Sequence, residues 1–315
     1  MNAFRKIALI TVLATVVLIS IGGLVRVTGA GLGCPDWPKC WGCWFPPSSL
    51  AEVDMAYVEA KGYDVREFNP VKMWTEYLNR MVGVLIGFLV LGTAIAAFPH
   101  RRVHPRIFWC AVFSVVLVAF QGWLGGQVVR SELHPVVVTA HMLLAIVLIG
   151  VLLYAVFMAY PAPDAGLPPE AKKTAYWLCM VLFALTVIQT VLGTQVREGI
   201  DPFIKDPGGL PRSEWLAKVG PIDYIHRSSS WVVLIAAGWL FREMYRRRIT
   251  GPISQLSRIL LGGVVVQIGL GVVLAYAGLP PPAQVLHLTG ASVLICIQIY
   301  AILVVRAQPA RTTAP

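Results

Sequence analysis

Charge is what this sequence has little of. Only 13% of its 315 residues are Asp, Glu, Lys or Arg, against 57% hydrophobic. That balance excludes an ordinary soluble domain and points to a protein threaded repeatedly through a membrane. A small-residue cleavage site is also missing after the first apolar run, and the run is too long for a signal-peptide core. It therefore reads as a retained span. Histidine is absent from the neighbourhood of the clustered cysteines, which weakens a zinc reading of them.

Long apolar runs are present instead. About 20 mostly apolar residues cross the hydrocarbon core as a helix. Eight such runs lie near residues 7–25, 75–98, 107–128, 137–160, 175–195, 223–241, 256–277 and 285–305. If the N-terminus is cytoplasmic, the inside segments, from Arg5 and Lys6 to Arg306 and Arg311, hold 14 basic residues and three acids. The outside segments hold 12 basic residues and 13 acids. The excess of Lys and Arg in short inner loops places both termini on the cytoplasmic or matrix side. The net charge of +10 follows from this asymmetry and does not call for nucleic acid; basic inner loops also suit anionic lipid.

The chain repeats itself. Glu76-Tyr77-Leu78-Asn79-Arg80 matches Asp223-Tyr224-Ile225-His226-Arg227. Gln121 and Gly125 precede His141 as Gln267 and Gly271 precede His287, with sixteen residues from glycine to histidine in both cases. The first run ends Gly22-Gly23-Leu24-Val25-Arg26 and the fifth Gly193-Thr194-Gln195-Val196-Arg197. The expected architecture is all-α and integral to the membrane, with eight transmembrane helices forming two tandem, parallel four-helix units. The units are residues 1–160, with an outer loop over 26–72, and residues 161–315, joined by the Pro-rich PAPDAGLPPEAKK. Within the loop, residues 51–72 alternate acids with apolar side chains and suit a short amphipathic helix on the membrane surface. Trp37, Trp41 and Trp44 read as anchors at the outer interface.

Asn79, His141, His226 and His287 each lie a few residues inside the outer end of an outside-to-inside helix. At 1.5 Å per residue they share one depth. Histidine in a span is rare and faces the bundle interior. Any single one is more often a satisfied core residue. Two on different helices of one unit, with Arg197 and Arg227 available for carboxylates, fit the axial ligation of a haem iron. The outer glycines, taken alone, read as ordinary helix packing. Glu76 shares a helix face with Asn79 and Arg80; taken alone it reads as an ion-pair partner of Arg80, as Asp223 does of Arg227. Cys34 faces an oxidising compartment and has two candidate disulfide partners, Cys40 and Cys43.

TGAGLGCPDWPKC after the first run, EYLNR, DYIHR and the single histidines His141 and His287 together resemble the haem A synthase family along almost the whole chain. The resemblance implies an enzyme of the bacterial or mitochondrial inner membrane. Such an enzyme oxidises the C8 methyl of haem O to a formyl group for cytochrome oxidase assembly. It implies haem B as cofactor, with His226 and His287 as axial ligands, and haem O as substrate in the first unit, with His141 as a ligand. Glu76 matches the family's essential acid, and Cys34 and Cys40 match its paired cysteines. Arg80, Arg197 and Arg227 stand as propionate partners. Further expected partners are a haem O synthase, an electron donor of unknown kind and a second copy of the chain. Asn79 departs from the pattern, which usually has His there, and an amide is a poor iron ligand. His134, two turns before His141 and separated from it by Pro135, reads as a loop residue. A dihaem electron carrier or a haem-delivery protein is the alternative; a transporter fits less well, since the polar residues gather near the outer face rather than at the midplane.

Overall fold

The structure is a computed structural model whose described residues are 1–205 and 208–307. The basic tail residue Arg311 lies outside them. Among the described residues there are ten α-helices and no β-strand. They are α1 (Asn2–Val27), α2 (Met55–Lys61), α3 (Pro70–Ala97), α4 (Pro105–Arg130) and α5 (Pro135–Met158), then α6 (Pro169–Lys205), α7 (Trp215–Val219), α8 (Pro221–Arg246), α9 (Pro252–Tyr276) and α10 (Pro281–Arg306). Proline opens seven of the eight long helices. Its missing N–H costs nothing in the first turn, and its fixed φ starts the helix where the loop ends. Asn69 strengthens the start of α3 by accepting from the Val71 and Lys72 amides at 3.1 Å each.

Seven helices, α1, α3, α4, α5, α6, α9 and α10, are long and apolar enough to cross a membrane, and the protein is an integral membrane protein. The remaining long helix, α8, also has 26 residues. It is more polar, carrying Asp223, His226, Arg227 and three consecutive serines at one end and Arg242 and Glu243 at the other. α6 runs ten residues past its apolar stretch, to Lys205.

α1, α3, α4 and α5 close one ring of mutually packed helices; α6, α8, α9 and α10 close a second. α10 joins the rings by packing on α1 and α5. Small buried residues, among them Ala8, Ala97, Ala111 and Ala155, let the first ring close tightly at the end that carries the N-terminus. The second ring is filled there by Leu240, Met244, Ile253 and Leu260. Large apolar side chains such as Phe88, Ile95, Trp109 and Ile235 point outward, more than half exposed. That is the arrangement expected in lipid, where close packing rather than water exclusion holds helices together.

The loop between α1 and α3 is a small folded unit. Cys34 and Cys40 form a disulfide, with 4.7 Å between their Cα atoms. Cys43 keeps its thiol and pairs with Cys40 through the backbone, N···O 2.8 and 3.1 Å. The Asp36 carboxylate accepts from the Trp41 and Gly42 amides at 2.7 and 2.8 Å and from the Tyr57 hydroxyl at 3.2 Å. Burial and the Asp36 charge together push the Tyr57 phenol up to about 12.

Trp41 is no interface anchor. It is 2% exposed, donates from its indole to the Gly33 carbonyl at 3.0 Å, and packs edge-on against Tyr63 and Phe68. Trp44 is 65% exposed. The short helix expected in residues 51–72 is α2, capped by Asp54 and stopped by Gly62 at φ 69°. Its buried face, Val58, joins the loop's own core with Trp41 and Met73.

Candidate functional site

Four corners of the two rings are built alike. In each, a polar side chain on one helix lies against a glycine on the next. A Cβ added to Gly22 would sit 3.9 Å from Asn79 Oδ1; at Gly125, 3.5 Å from His141 Cε1; at Gly193, 3.1 Å from His226 Cε1; at Gly271, 3.8 Å from His287 Cε1. Only at Gly193 is the space tight enough that a Cβ would crowd the imidazole; the other three are ordinary contacts, as in helix packing. Nδ1 of His141, His226 and His287, and Oδ1 of Asn79, are all buried without a partner. Buried polar atoms are normally satisfied, so four unpartnered atoms at equivalent positions of the repeat set these corners apart as candidate ligand positions.

Sequence reasoning passed over what holds the histidines. Gln121 Nε2 donates to the His141 carbonyl at 3.0 Å, and Gln189 Nε2 to the His226 carbonyl at 2.6 Å. Ser229 in turn donates to Gln189 Oε1 at 2.6 Å. Gln267 lies against the backbone of α10 at Gly290, next to the His287 turn. Each glutamine stands four residues before its corner glycine, so Gln-x3-Gly, written three times, was the available signal. The fourth corner has Leu18 in that place and Asn79 in place of histidine: both elements changed together.

His226 and His287 face each other with ring centroids 6.4 Å apart. Two metal–imidazole bonds of about 2.0–2.1 Å each, added to the reach from nitrogen to ring centre, come to about the same length. Among the described residues no three His, Cys, Asp or Glu side chains converge as for a bare metal ion. Two imidazoles alone leave most of a coordination sphere unfilled, and a tetrapyrrole fills it from within a plane. A cavity of about 380 Å³ adjoins the pair, lined by both histidines, Gly193, Gly271, Arg197 and Arg227. The residues present fit a haem. Asn79 and His141 lie in the other ring and do not line this cavity.

The acids and arginines are placed as follows. Glu76, 3% exposed, accepts from Arg80 Nη2 at 2.5 Å and from the Cys34 amide at 2.8 Å. Arg80 also donates to the carbonyls of Asp36 and Lys39 at 2.9 Å each and of Cys34 at 3.2 Å. Glu76 and Arg80 thus clamp the disulfide loop onto α3. Asp223 and Arg227 pair in the same register on α8. Trp37 reaches from the loop onto α4, where a Cβ on Gly126 would meet its ring at 2.8 Å, one residue from the Gly125–His141 corner. His134 is exposed and precedes α5, outside the corner, as its sequence position implied.

Relatives bear on this arrangement. Heme A synthase of Shewanella oneidensis is 28% identical over 313 residues, covering 91% of this chain and 92% of its own. Heme A synthase of Rhizorhabdus wittichii is 25% identical over 332 residues, with 95% and 93% covered. Heme A synthase of Cereibacter sphaeroides is 26% identical over 309 residues, with 82% and 77% covered. A sequence model described as cytochrome oxidase assembly protein (COX15-CtaA) matches residues 5–299, nearly the full length, and the chain belongs to that family.

Proposed function

We propose that this protein is a haem A synthase, an oxidoreductase that converts the C8 methyl of haem O to a formyl group during cytochrome oxidase biogenesis. The observation that carries the reading is the repeated corner, a glycine against an imidazole with an unpartnered nitrogen and a glutamine four residues before the glycine, with the His226 and His287 corners 6.4 Å apart ring to ring. In this reading the chain spans the inner membrane eight times as two parallel units, residues 1–160 and 161–315, with both termini on the cytoplasmic or matrix side.

The second unit holds a resident haem B by His226 and His287, with Arg197 and Arg227 toward its carboxylates. The first unit would take haem O, with His141 as its strong ligand and Asn79, a poor iron ligand, at the other corner of that unit. When bound, haem supplies the one-electron and oxygen chemistry that side chains lack. The protein supplies the rest. Gln121 and Gln189 fix the helices that carry His141 and His226. Trp37 and the clamped loop cover the first unit from outside and keep water out. In this reading Glu76, held at both carboxylate oxygens by Arg80 and the Cys34 amide, accepts a proton at the edge of the first unit. Arg80 is engaged by the loop, so its service to a propionate would require the loop to shift. Haem O synthase, an electron donor and a second copy of the chain are the partners of this reading.

One observation favours the electron-carrier alternative. The Arg80–Glu76 pair recurs as Arg227–Asp223, as a purely structural acid would. A bacterium lacking its own haem A synthase separates the two readings. Expressing this chain there restores the haem A band of cytochrome oxidase in membranes, and Glu76→Gln abolishes the restoration. An electron carrier restores nothing, with or without Glu76.

A further inference from the structure

The cavity beside His226 and His287 belongs to the second ring, yet part of its wall comes from the first. Gly23, Arg26 and Val27 of α1 line it together with Arg197 of α6. Arg26 Nη2 lies 2.7 Å from Asp201 Oδ2, and Arg197 Nη1 lies 3.2 Å from the other oxygen of the same carboxylate. Arg197 Nη2 also donates to the Arg26 carbonyl at 2.6 Å. Two guanidinium groups thus share one aspartate. Arg212 is close enough to act electrostatically on Arg197 as well. The neighbouring Glu198 carboxylate accepts from Thr139 Oγ1 at 3.2 Å and also lies within reach of the Arg26 charge, so three arginines stand by two acids.

A salt bridge that only tied the rings together would need one arginine and one acid. Here cationic donors are in excess. Nε of Arg26, of Arg197 and of Arg212 is buried with no acceptor. Buried guanidinium N–H groups are costly to leave unpaired, and they match carboxylate oxygens in a fixed fork. The cluster also stands at the right height. Arg197 is four residues, about 6 Å of helical rise, outward from Gly193, which abuts His226. Arg26 stands at the same point of the repeat in α1.

We propose that Arg26, a residue of the first unit, binds a carboxylate of the haem held in the second unit, so that the second-unit site is complete only with α1 docked against it. This rests on the haem B reading above. It makes α1 a shared wall, since the same helix also forms the Gly22–Asn79 corner of the other unit.

The test uses the full-length protein produced in haem-limited cells and reconstituted in detergent with haem B or with its dimethyl ester, which lacks both carboxylate charges. Wild type is expected to hold the free acid more tightly than the ester. Arg26→Gln is expected to lose roughly tenfold or more in affinity for the free acid while its affinity for the ester stays unchanged. Arg26→Lys, which keeps the charge but not the fork, falls between. Asp201→Asn, which unties the rings but keeps both arginines, retains the preference for the free acid. If Arg26→Gln weakens acid and ester equally, Arg26 is only an inter-ring strut and the proposal fails. If it changes neither, and anionic phospholipid instead drops out of the native mass spectrum, the cluster serves a lipid headgroup and the proposal also fails. Wild type that binds neither haem overturns the haem B reading itself, a result distinct from both.

Discussion

Alanine at Gly193 and at Gly271 should have opposite effects, although the two glycines occupy equivalent corners. In a helix interior, alanine in place of glycine is favourable by about 0.5–1 kcal/mol. At Gly271 the new Cβ would lie 3.8 Å from His287 Cε1, an ordinary contact, so that gain is kept. At Gly193 it would lie 3.1 Å from His226 Cε1, so the ring must retreat by a few tenths of an ångström. The ring has little freedom, because its helix is held by Gln189 and Ser229. Overpacking of this kind costs about 1–3 kcal/mol. Gly193→Ala should therefore end up to about 2.5 kcal/mol less stable, and Gly271→Ala about 0.5–1 kcal/mol more stable. Thermal unfolding in detergent measures the stability, and the haem absorption bands report any shift of the ring. If the two variants match in stability and spectrum, the glycines are ordinary packing positions and the corner argument is wrong.

Other parts of the structure give further expectations. Arg80→Met leaves the buried Glu76 carboxylate without its cation and should cost about 3–5 kcal/mol, seen as a lower unfolding temperature and rapid proteolysis of the loop. Adding Glu76→Gln to that variant should recover much of the loss. Breaking the Cys34–Cys40 disulfide by Cys40→Ser should cost about 2 kcal/mol, whereas Cys43→Ser should leave the loop's protease resistance unchanged. Tyr57 keeps its proton in the folded loop up to about 12, above its ordinary value of 10.0. The folded state then binds more protons than the unfolded one between those values, so the Tyr57 contribution is full below pH 10 and fades toward pH 12. Loop proteolysis should accelerate across that window in wild type, and Tyr57→Phe should remove this part of the pH dependence.

The helices and the corner histidines were legible in the sequence because both depend on local properties. Apolar run length marks a span, and a histidine inside such a run is conspicuous against lipid. The end of α6 was not legible: beyond residue 195 its residues are polar enough to read as loop, and only the structure extends the helix to Lys205. Trp41 was misplaced because a tryptophan near a membrane edge ordinarily anchors there. Its burial depends on Tyr63 and Phe68, more than twenty residues away. The double duty of Arg80 was hidden for the same reason, since its loop carbonyls lie 41 to 46 residues back along the chain. Gln189 went unnoticed because the repeat was matched from Gly193 onward, and α1 has Leu18 at the equivalent place. Asn79 is visible in the sequence as a departure, since the repeat has His226 at the matching place. The loss of the paired glutamine beside it needed the helices to be set side by side.

The most direct test of the whole account is chemical. This chain is expressed in cells that make haem O and have no other haem A synthase. Haems are extracted with acidified solvent, separated by chromatography and identified by mass. The account predicts haem A, or its hydroxylated precursor, with Asn79 in place, and neither when His141 is replaced by alanine. Abundant, haem-loaded protein accompanied by haem B and unreacted haem O alone would contradict it.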